Sequence, residues 1–428
     1  MAPRIFRHVA RIEVELWGHQ VGALARDPAS GFYAFRYEDS FRRRGIEPAP
    51  LRMPVGPSRT WIFPNLPERT YHGLPALLND SLPDAFGNAL IEKSLVSMGV
   101  PKEAVTPLDR LAYLGNRAMG ALQFRPPRGE VKRATAIELR DLVEEARKAV
   151  HGDLQEDGGA QGLQHILAVG ISAGGARPKA VLCWNPGTGE FRSGQFDAPE
   201  GFEHWLLKFD GIENGQLGGP RNEGRIEYAY HRMAVEAGIR MSECRLHEEG
   251  GRAHFMTRRF DRGPGGVRHH IQTACAMDHM DLGQAGVYSY TQLLDILRRL
   301  DLPQADREQA FRRMAFNVMA RNLDDHTKNF SFLLREGGSW ELAPAYDLTF
   351  AHDPAGRWNH QHFLAVDGKH DGIGRQDLLR EAERFSIGQA KVILDQVKDA
   401  VKRWSTFAEQ AGLDLRDSLR VQNELRPV

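Results

Sequence analysis

Cysteine is scarce in this sequence. The 428-residue chain carries three, Cys183, Cys244 and Cys275, and the closest two stand 31 positions apart. An odd, sparse set without a C-x-x-C pair is neither a disulfide framework nor a cysteine zinc site. It reads as reduced core residues of a cytoplasmic protein. An excess of one charge is also missing: 56 Lys and Arg face 56 Asp and Glu. A protein that holds nucleic acid by bulk electrostatics carries a basic surplus, so autonomous DNA binding is not expected. No apolar run reaches the ~18 residues a membrane helix needs. Arg4, Arg7 and Arg11 interrupt the start, which removes a secretory leader from the reading. Disorder is excluded too, because 41% hydrophobic residues and a zero net charge allow a core. Glycine alone is over-represented, at 43 residues or about 10% against a usual ~7%.

At about 150 residues per domain the length implies two or three domains. Ile12, Val14 and Leu16 alternate with charged residues, Gly18-His19 makes a turn, and an apolar run from Val21 to Leu24 follows, which predicts an opening hairpin. Residues 71–125 have helical spacing with breaks. Arg125-Pro126-Pro127-Arg128-Gly129 punctuates the chain and marks a first boundary. Ile137 to Val150 reads as an amphipathic helix. Short strands and Gly-rich turns fill about 166–275, with one helix at 226–237. From about 287 onward helical patterns dominate, at 291–300, 306–321 and 388–412.

The glycines concentrate in the middle, and one group suggests chemistry. Ser172, Ala173, Gly174, Gly175 and Ala176 lie between the apolar run Ile166–Val169 and a strand-like run that opens with Lys179. Small residues let backbone N–H groups approach an anion, and a lysine adds a point charge. The spacing is not that of a Walker A loop, and Pro178 interrupts any helix that a dinucleotide fingerprint requires. A strand–loop–strand cover over phosphates, the kinase solution, fits it. A plain Gly-rich hairpin fits the composition equally well. Downstream, Trp205-Leu206-Leu207-Lys208-Phe209 places a lysine within an apolar strand, where it needs an anionic partner. Glu227 opens a helix whose apolar positions are Tyr230, Met233, Ala234 and Ala237. A strand lysine matched to a helix glutamate is the kinase arrangement. A solvated lysine and a glutamate favouring a helix start also satisfy the pattern.

Two later segments complete the order. Asp324 and Asn329 in Arg321–Ser331 have the spacing of a kinase catalytic loop, in which the Asp orients the attacking hydroxyl and the Asn holds a metal ion. Lys328 can offset developing phosphate charge. Asp347, in Ala345-Tyr346-Asp347-Leu348, is placed as a Mg²⁺ ligand after a strand. D-x-x-x-x-N alone is common, and a turn or cap Asp is an ordinary thing in a loop. The weight comes from the sequence of parts: Gly loop, strand Lys, helix Glu, Asp/Asn pair, metal Asp. A competing metal site uses His360 and His362 on one face of a strand with Asp347 or Asp353, and zinc or non-haem iron as the ion.

With Leu78-Asn79-Asp80-Ser81-Leu82-Pro83-Asp84, the loop at 172–179, the Trp205–Phe209 strand and the two segments just described, the chain resembles the HipA family, the serine/threonine kinase toxins of bacterial toxin–antitoxin systems. The resemblance runs nearly end to end and is most specific at Asn322–Ser331. It implies an α+β, bilobal protein-kinase-like fold with an extra N-terminal α/β subdomain (1–128), an N-lobe (129–280) with the Gly-rich loop and ATP lysine, and a mostly helical C-lobe (281–428). It implies ATP and Mg²⁺ as cofactors, Asp324 with Lys328 as the catalytic pair, Asn329 and Asp347 as metal ligands, and Lys208, Lys179, Glu227 and residues 172–176 around the nucleotide. Ser172 is the serine that the resemblance makes an autophosphorylation site. About −1.5 to −2 charges placed where nucleotide phosphates sit repel them. The implied partners are a helix-turn-helix antitoxin, HipB-like, that brings the toxin to DNA, and a protein substrate, for which the family offers an aminoacyl-tRNA synthetase. Two alternatives stay open on the same fold: a small-molecule hydroxyl kinase, and a pseudokinase co-repressor.

Overall fold

The computed structural model describes residues 7–56, 60–83, 85–97, 99–128, 136–137, 179–213, 216–217, 222–284, 286–356 and 359–428. The candidate loop residues Ser172, Ala173, Gly174, Gly175 and Ala176 lie outside the described residues, as does Asp84. The chain forms two compact units, residues 1–220 with 256–271, and 221–255 with 272–428. Both mix helices with sheet.

In the first unit, β1 (Arg11–Leu16) and β2 (His19–Arg26) form the expected hairpin. Ile12, Val14 and Leu16 are fully buried, while the charged residues between them face outward, the two-residue period of a half-buried strand. The two-residue turn uses Trp17 at φ 51° and Gly18 at φ 75°. A positive φ at both positions matches the twist of the strands. It is costly for a bulky residue, and here the Trp17 indole donates to the Arg268 carbonyl at 2.8 Å. With β3 (Tyr33–Tyr37), β4 (Thr60–Ile62) and β5 (Leu122–Arg125) the hairpin makes an antiparallel sheet ordered β4-β3-β2-β1-β5. Short helices Ala76–Asn79, Ala85–Ser97 and Pro107–Leu114 fill the connection to β5.

A second antiparallel ladder runs β9 (Glu203–Lys208), β7 (Lys179–Trp184), β8 (Phe191–Ser193), β6 (Ala136–Ile137). Ile137 is therefore a strand residue opposite Phe191 rather than the start of a helix; edge pairing overrides the local helical period. The remainder of that expected helix, 138–150, lies outside the described residues. Leu182, Trp205 and Leu207 join the core that Ile12, Val14 and Phe124 begin.

A buried ionic clasp helps to close this unit. Asp261 is fully buried. Its carboxylate accepts from Arg259 Nε at 2.8 Å, Arg259 NH2 at 2.6 Å, Arg262 NH1 at 2.6 Å and the Gly120 amide at 2.8 Å. Arg262 donates onward to the Ala118 and Gly120 carbonyls. Burial alone raises such a carboxyl, but the two guanidiniums carry it well below the usual carboxylate range.

The second unit is mainly helical. Helix Glu223–Glu236 buries Ile226, Tyr230, Met233 and Ala234 along one face. Gly224 is required there: a Cβ would sit 1.9 Å from the Ala253 carbonyl. Tyr230 meets Phe316 of helix Gln304–Met319 and Trp404 of helix Trp404–Gln410 edge-on, at centroid separations of 6.1 and 5.4 Å. The expected helix at 388–412 is two helices, Ala390–Lys402 and Trp404–Gln410. Helix Tyr290–Arg299 starts on a Ser289–Gln292 capping box. No helix among the described residues is long and apolar enough to cross a membrane. All three cysteines are buried, and none is in a disulfide.

Candidate active site

The candidate residues fall into two groups. In the first unit, Lys179 opens β7 and Lys208 closes β9. They are direct cross-strand partners, so their side chains leave the same face of the sheet. Lys179 is 3% and Lys208 8% exposed. Like charges directly opposite one another are unfavourable, and burial adds to that cost. The register thus brings the two buried ammonium-bearing side chains to one end of the sheet. Sequence reading had Lys179 and Lys208 in one functional group but gave no register; the pairing of β7 with β9 supplies it.

The second group is built on the hairpin of strands Ser331–Leu334 and Trp340–Leu342. Helix Gln304–Met319 stops at Ala320, and Arg321 takes a left-handed conformation, φ 56°. That turn sends the chain into the loop 322–326 and a single 3-10 turn at Thr327–Asn329. Asp324 points outward, its side chain 57% exposed. The Asn329 side-chain amide donates to the Asp324 carbonyl at 2.7 Å, which uses its donor end; the Oδ1 end is an acceptor. His326 Nε2 lies 3.8 Å from the Asp324 carboxylate.

Asp347 comes after the second strand of the hairpin, half-buried and at φ 53°. Asp is one of the few residues that visit this region at modest cost. Its neighbour Tyr346 reaches back, donating to the Lys328 carbonyl at 2.6 Å and meeting the Ser331 hydroxyl. Backbone bonds reinforce the tie: Leu323 N–H to the Ala351 carbonyl at 3.2 Å, and Ala351 N–H to the Arg321 carbonyl at 3.3 Å. Asp324, Lys328, Asn329 and Asp347 are therefore brought to one pair of tied loops. Glu227 lies in the first turns of helix Glu223–Glu236 and is 1% exposed.

The competing histidine site is not assembled among the described residues. No strand contains His360 and His362. His360 Nδ1 is 3.0 Å from the Gly356 carbonyl, and His362 Nδ1 is 2.9 Å from Asp325. Among the described residues no group of three or more His, Cys, Asp and Glu is arranged to hold a metal. Asn329 and Asp347 offer one amide oxygen and one carboxylate, a set for a hard cation that completes its shell with other oxygens. A cavity of about 550 Å³ elsewhere, on helix Tyr290–Arg299 beside Arg307 and Arg384, takes in none of these residues.

Reading the sequence gave no role to Asp325 and Tyr290, and offered His362 only as a metal ligand. The Asp324-Asp325 doublet is visible in the sequence, but which carboxylate turns inward is decided by His362, 37 positions away.

Comparison with known proteins accords with this arrangement. Residues 12–125 match the HipA N-terminal domain and residues 171–404 the HipA-like C-terminal domain. The chain belongs to the HipA family. The serine/threonine-protein kinase toxin HipA of Shewanella oneidensis is 22% identical over 385 residues, covering 84% of this chain and 79% of that protein. The putative kinase Y4mE of Sinorhizobium fredii is 24% identical over 193 residues, 43% of this chain and 40% of that one. The fold is that of HipA in the Shewanella oneidensis MR-1 complex of HipA, HipB and operator DNA, with a TM-score of 0.69 at 19% identity, covering 96% of this chain and 94% of that one. The two family domains meet in the clasp described above: Ala118 and Gly120 belong to the first, Arg259, Asp261 and Arg262 to the second.

Proposed function

We propose that this HipA-family chain is an ATP- and Mg²⁺-dependent serine/threonine protein kinase acting as the toxin of a toxin–antitoxin system. The observation that carries the reading is the tied pair of loops holding Asp324, Lys328, Asn329 and Asp347. Asp324 is exposed enough to meet a substrate hydroxyl, orient it and take its proton. Asn329 Oδ1 and the Asp347 carboxylate would hold the metal, whose charge, when bound, neutralises the nucleotide phosphates. The paired ammoniums of Lys179 and Lys208 fit the nucleotide phosphates. Lys328 supplies a further positive charge from the same loop as Asp324.

Ser172 is the proposed autophosphorylation site, and a HipB-like helix-turn-helix antitoxin the proposed partner. The zero net charge supports a route to DNA through that partner rather than directly. A protein such as an aminoacyl-tRNA synthetase is the proposed class of substrate.

Intact-mass analysis with and without ATP and Mg²⁺ tests the reading, followed by peptide mapping of Ser172. The wild-type chain is expected to gain phosphate, and Asp324→Asn to gain none while keeping its circular dichroism and melting temperature. Equal phosphorylation of the two would overturn the assignment of Asp324. ATP turnover on a metabolite with no phosphoprotein would favour the small-molecule kinase, and no ATP turnover at all the co-repressor.

A further inference from the structure

Asp325 stands next to the candidate catalytic residue and has the opposite fate. Its side chain is fully buried. Oδ2 accepts from the Tyr290 hydroxyl at 2.8 Å and contacts His362 Nδ1 at 2.9 Å. Oδ1 accepts from the backbone N–H groups of Phe363 at 2.7 Å and Leu364 at 3.4 Å. A carboxylate only accepts, so the His362 proton sits on Nδ1. The Tyr290 hydroxyl in turn accepts from Asn317 Nδ2 at 2.9 Å, and Asn317 Oδ1 accepts from Asn322 Nδ2 at 2.9 Å. The chain of bonds starts at Asn322 and ends at Asp325, on either side of Asp324. It fastens that loop to helix Tyr290–Arg299, helix Gln304–Met319 and segment 362–364 at once.

Stability does not explain such a residue. An apolar side chain of similar volume packs a buried site without the cost of desolvating a carboxylate, and such replacements are often neutral or stabilising. What an apolar side chain cannot do is fix the loop's rotation. A peptide unit whose neighbouring side chain is gripped by four donors from two elements has one orientation, and that orientation aims Asp324.

We propose that Asp325 is a positioning residue, held by Tyr290 and His362, that sets the direction of the Asp324 carboxylate. The inference rests on the kinase reading of this site. General-base action contributes about 10²–10⁴-fold, and a misplacement of about 1 Å can cost about 10²-fold.

Asp325→Asn keeps the volume but turns an amide N–H₂ toward either Tyr290 and His362 or the two backbone N–H groups, donor against donor. Phosphoryl transfer and backbone hydrogen exchange are measured together. The expected result is a kcat lower by about 10- to 100-fold, a KM for ATP changed by less than about twofold, and faster exchange confined to 321–331. Unchanged exchange and kcat would overturn the inference, as would exchange that rises uniformly through helix Gln304–Met319, the mark of a merely structural role. If Asp325→Asn does not fold, Tyr290→Phe, which removes one donor, carries the test: a several-fold fall in kcat supports positioning and an unchanged kcat refutes it. A wild-type protein that transfers no phosphate defeats the kinase reading itself, whereas exchange at 321–331 still reports whether Asp325 holds the loop.

Discussion

Asp261→Ala tests the clasp between the two family domains most directly. Asp261 is fully buried, and its Arg259 and Arg262 partners have side chains only 2% and 6% exposed. Removing the carboxylate leaves two desolvated guanidiniums facing one another and the Gly120 N–H without its acceptor. Breaking a buried ion pair from one side costs about 3–5 kcal/mol. That is a large share of the ~5–15 kcal/mol that holds a typical domain. The loss of the Gly120 bond, worth about 1 kcal/mol, is contained in that range because the same oxygen serves both partners. Asp261→Asn, which still offers one acceptor, should lose less. Urea unfolding followed by tryptophan fluorescence reads the change, since Trp17, Trp184 and Trp205 belong to this unit. The pH dependence has a definite sign. The folded carboxyl lies below its unfolded value of about 3.9, so its contribution is complete above about pH 4 and is lost as the pH falls below that. The wild-type advantage over Asp261→Ala should therefore shrink in acid. It should resist added salt, because buried pairs are poorly screened. A loss below about 1 kcal/mol, within the range of surface ion pairs, would show that the carboxylate is not the centre of the clasp.

Asp347→Ala should abolish Mg²⁺-dependent ATP binding in calorimetry while leaving the fold intact; unchanged binding would remove Asp347 from the metal site. Tyr346→Phe deletes the bond to the Lys328 carbonyl, so it should cost about 0.5–1.5 kcal/mol in stability and lower phosphoryl transfer more than it weakens nucleotide binding. Transfer at the wild-type rate would show that the two loops hold together without it.

The parts legible in the sequence were those with a local cause. The opening hairpin follows from alternation through Ile12, Val14 and Leu16 and the turn at Gly18. Helices Glu223–Glu236, Tyr290–Arg299 and Gln304–Met319 follow from their apolar period, close to the expected ends. The parts that failed depended on distant partners. Ile137 belongs to a strand because Phe191 lies opposite it. His362 sits near other histidines in sequence, which suggested a metal, yet its ring is engaged by Asp325. The site shows the same division. Spacing placed Asp324, Asn329 and Asp347 together as candidates, but it contains no sign of Tyr346 tying their loops, or of Tyr290 turning Asp325 inward. Those roles depend on hydroxyl groups whose partners lie 18 and 35 positions away.

The tied loops also bear on how the site is held. The contacts joining 321–331 to 344–351 are two backbone bonds and the Tyr346 hydroxyl, while Asn329 braces the first loop internally. Arg321 and Asp347 both hold left-handed conformations, at about 1–2 kcal/mol for Arg321 and less for the Asp. That cost is carried by the folded chain, not by a ligand. The loop conformation is thus held by the chain's own bonds. On the proposed kinase reading, placing the rigid geometry in the loop backbones and leaving Asp324 itself exposed would reconcile two demands: an aimed base, and open access for a hydroxyl carried by another protein.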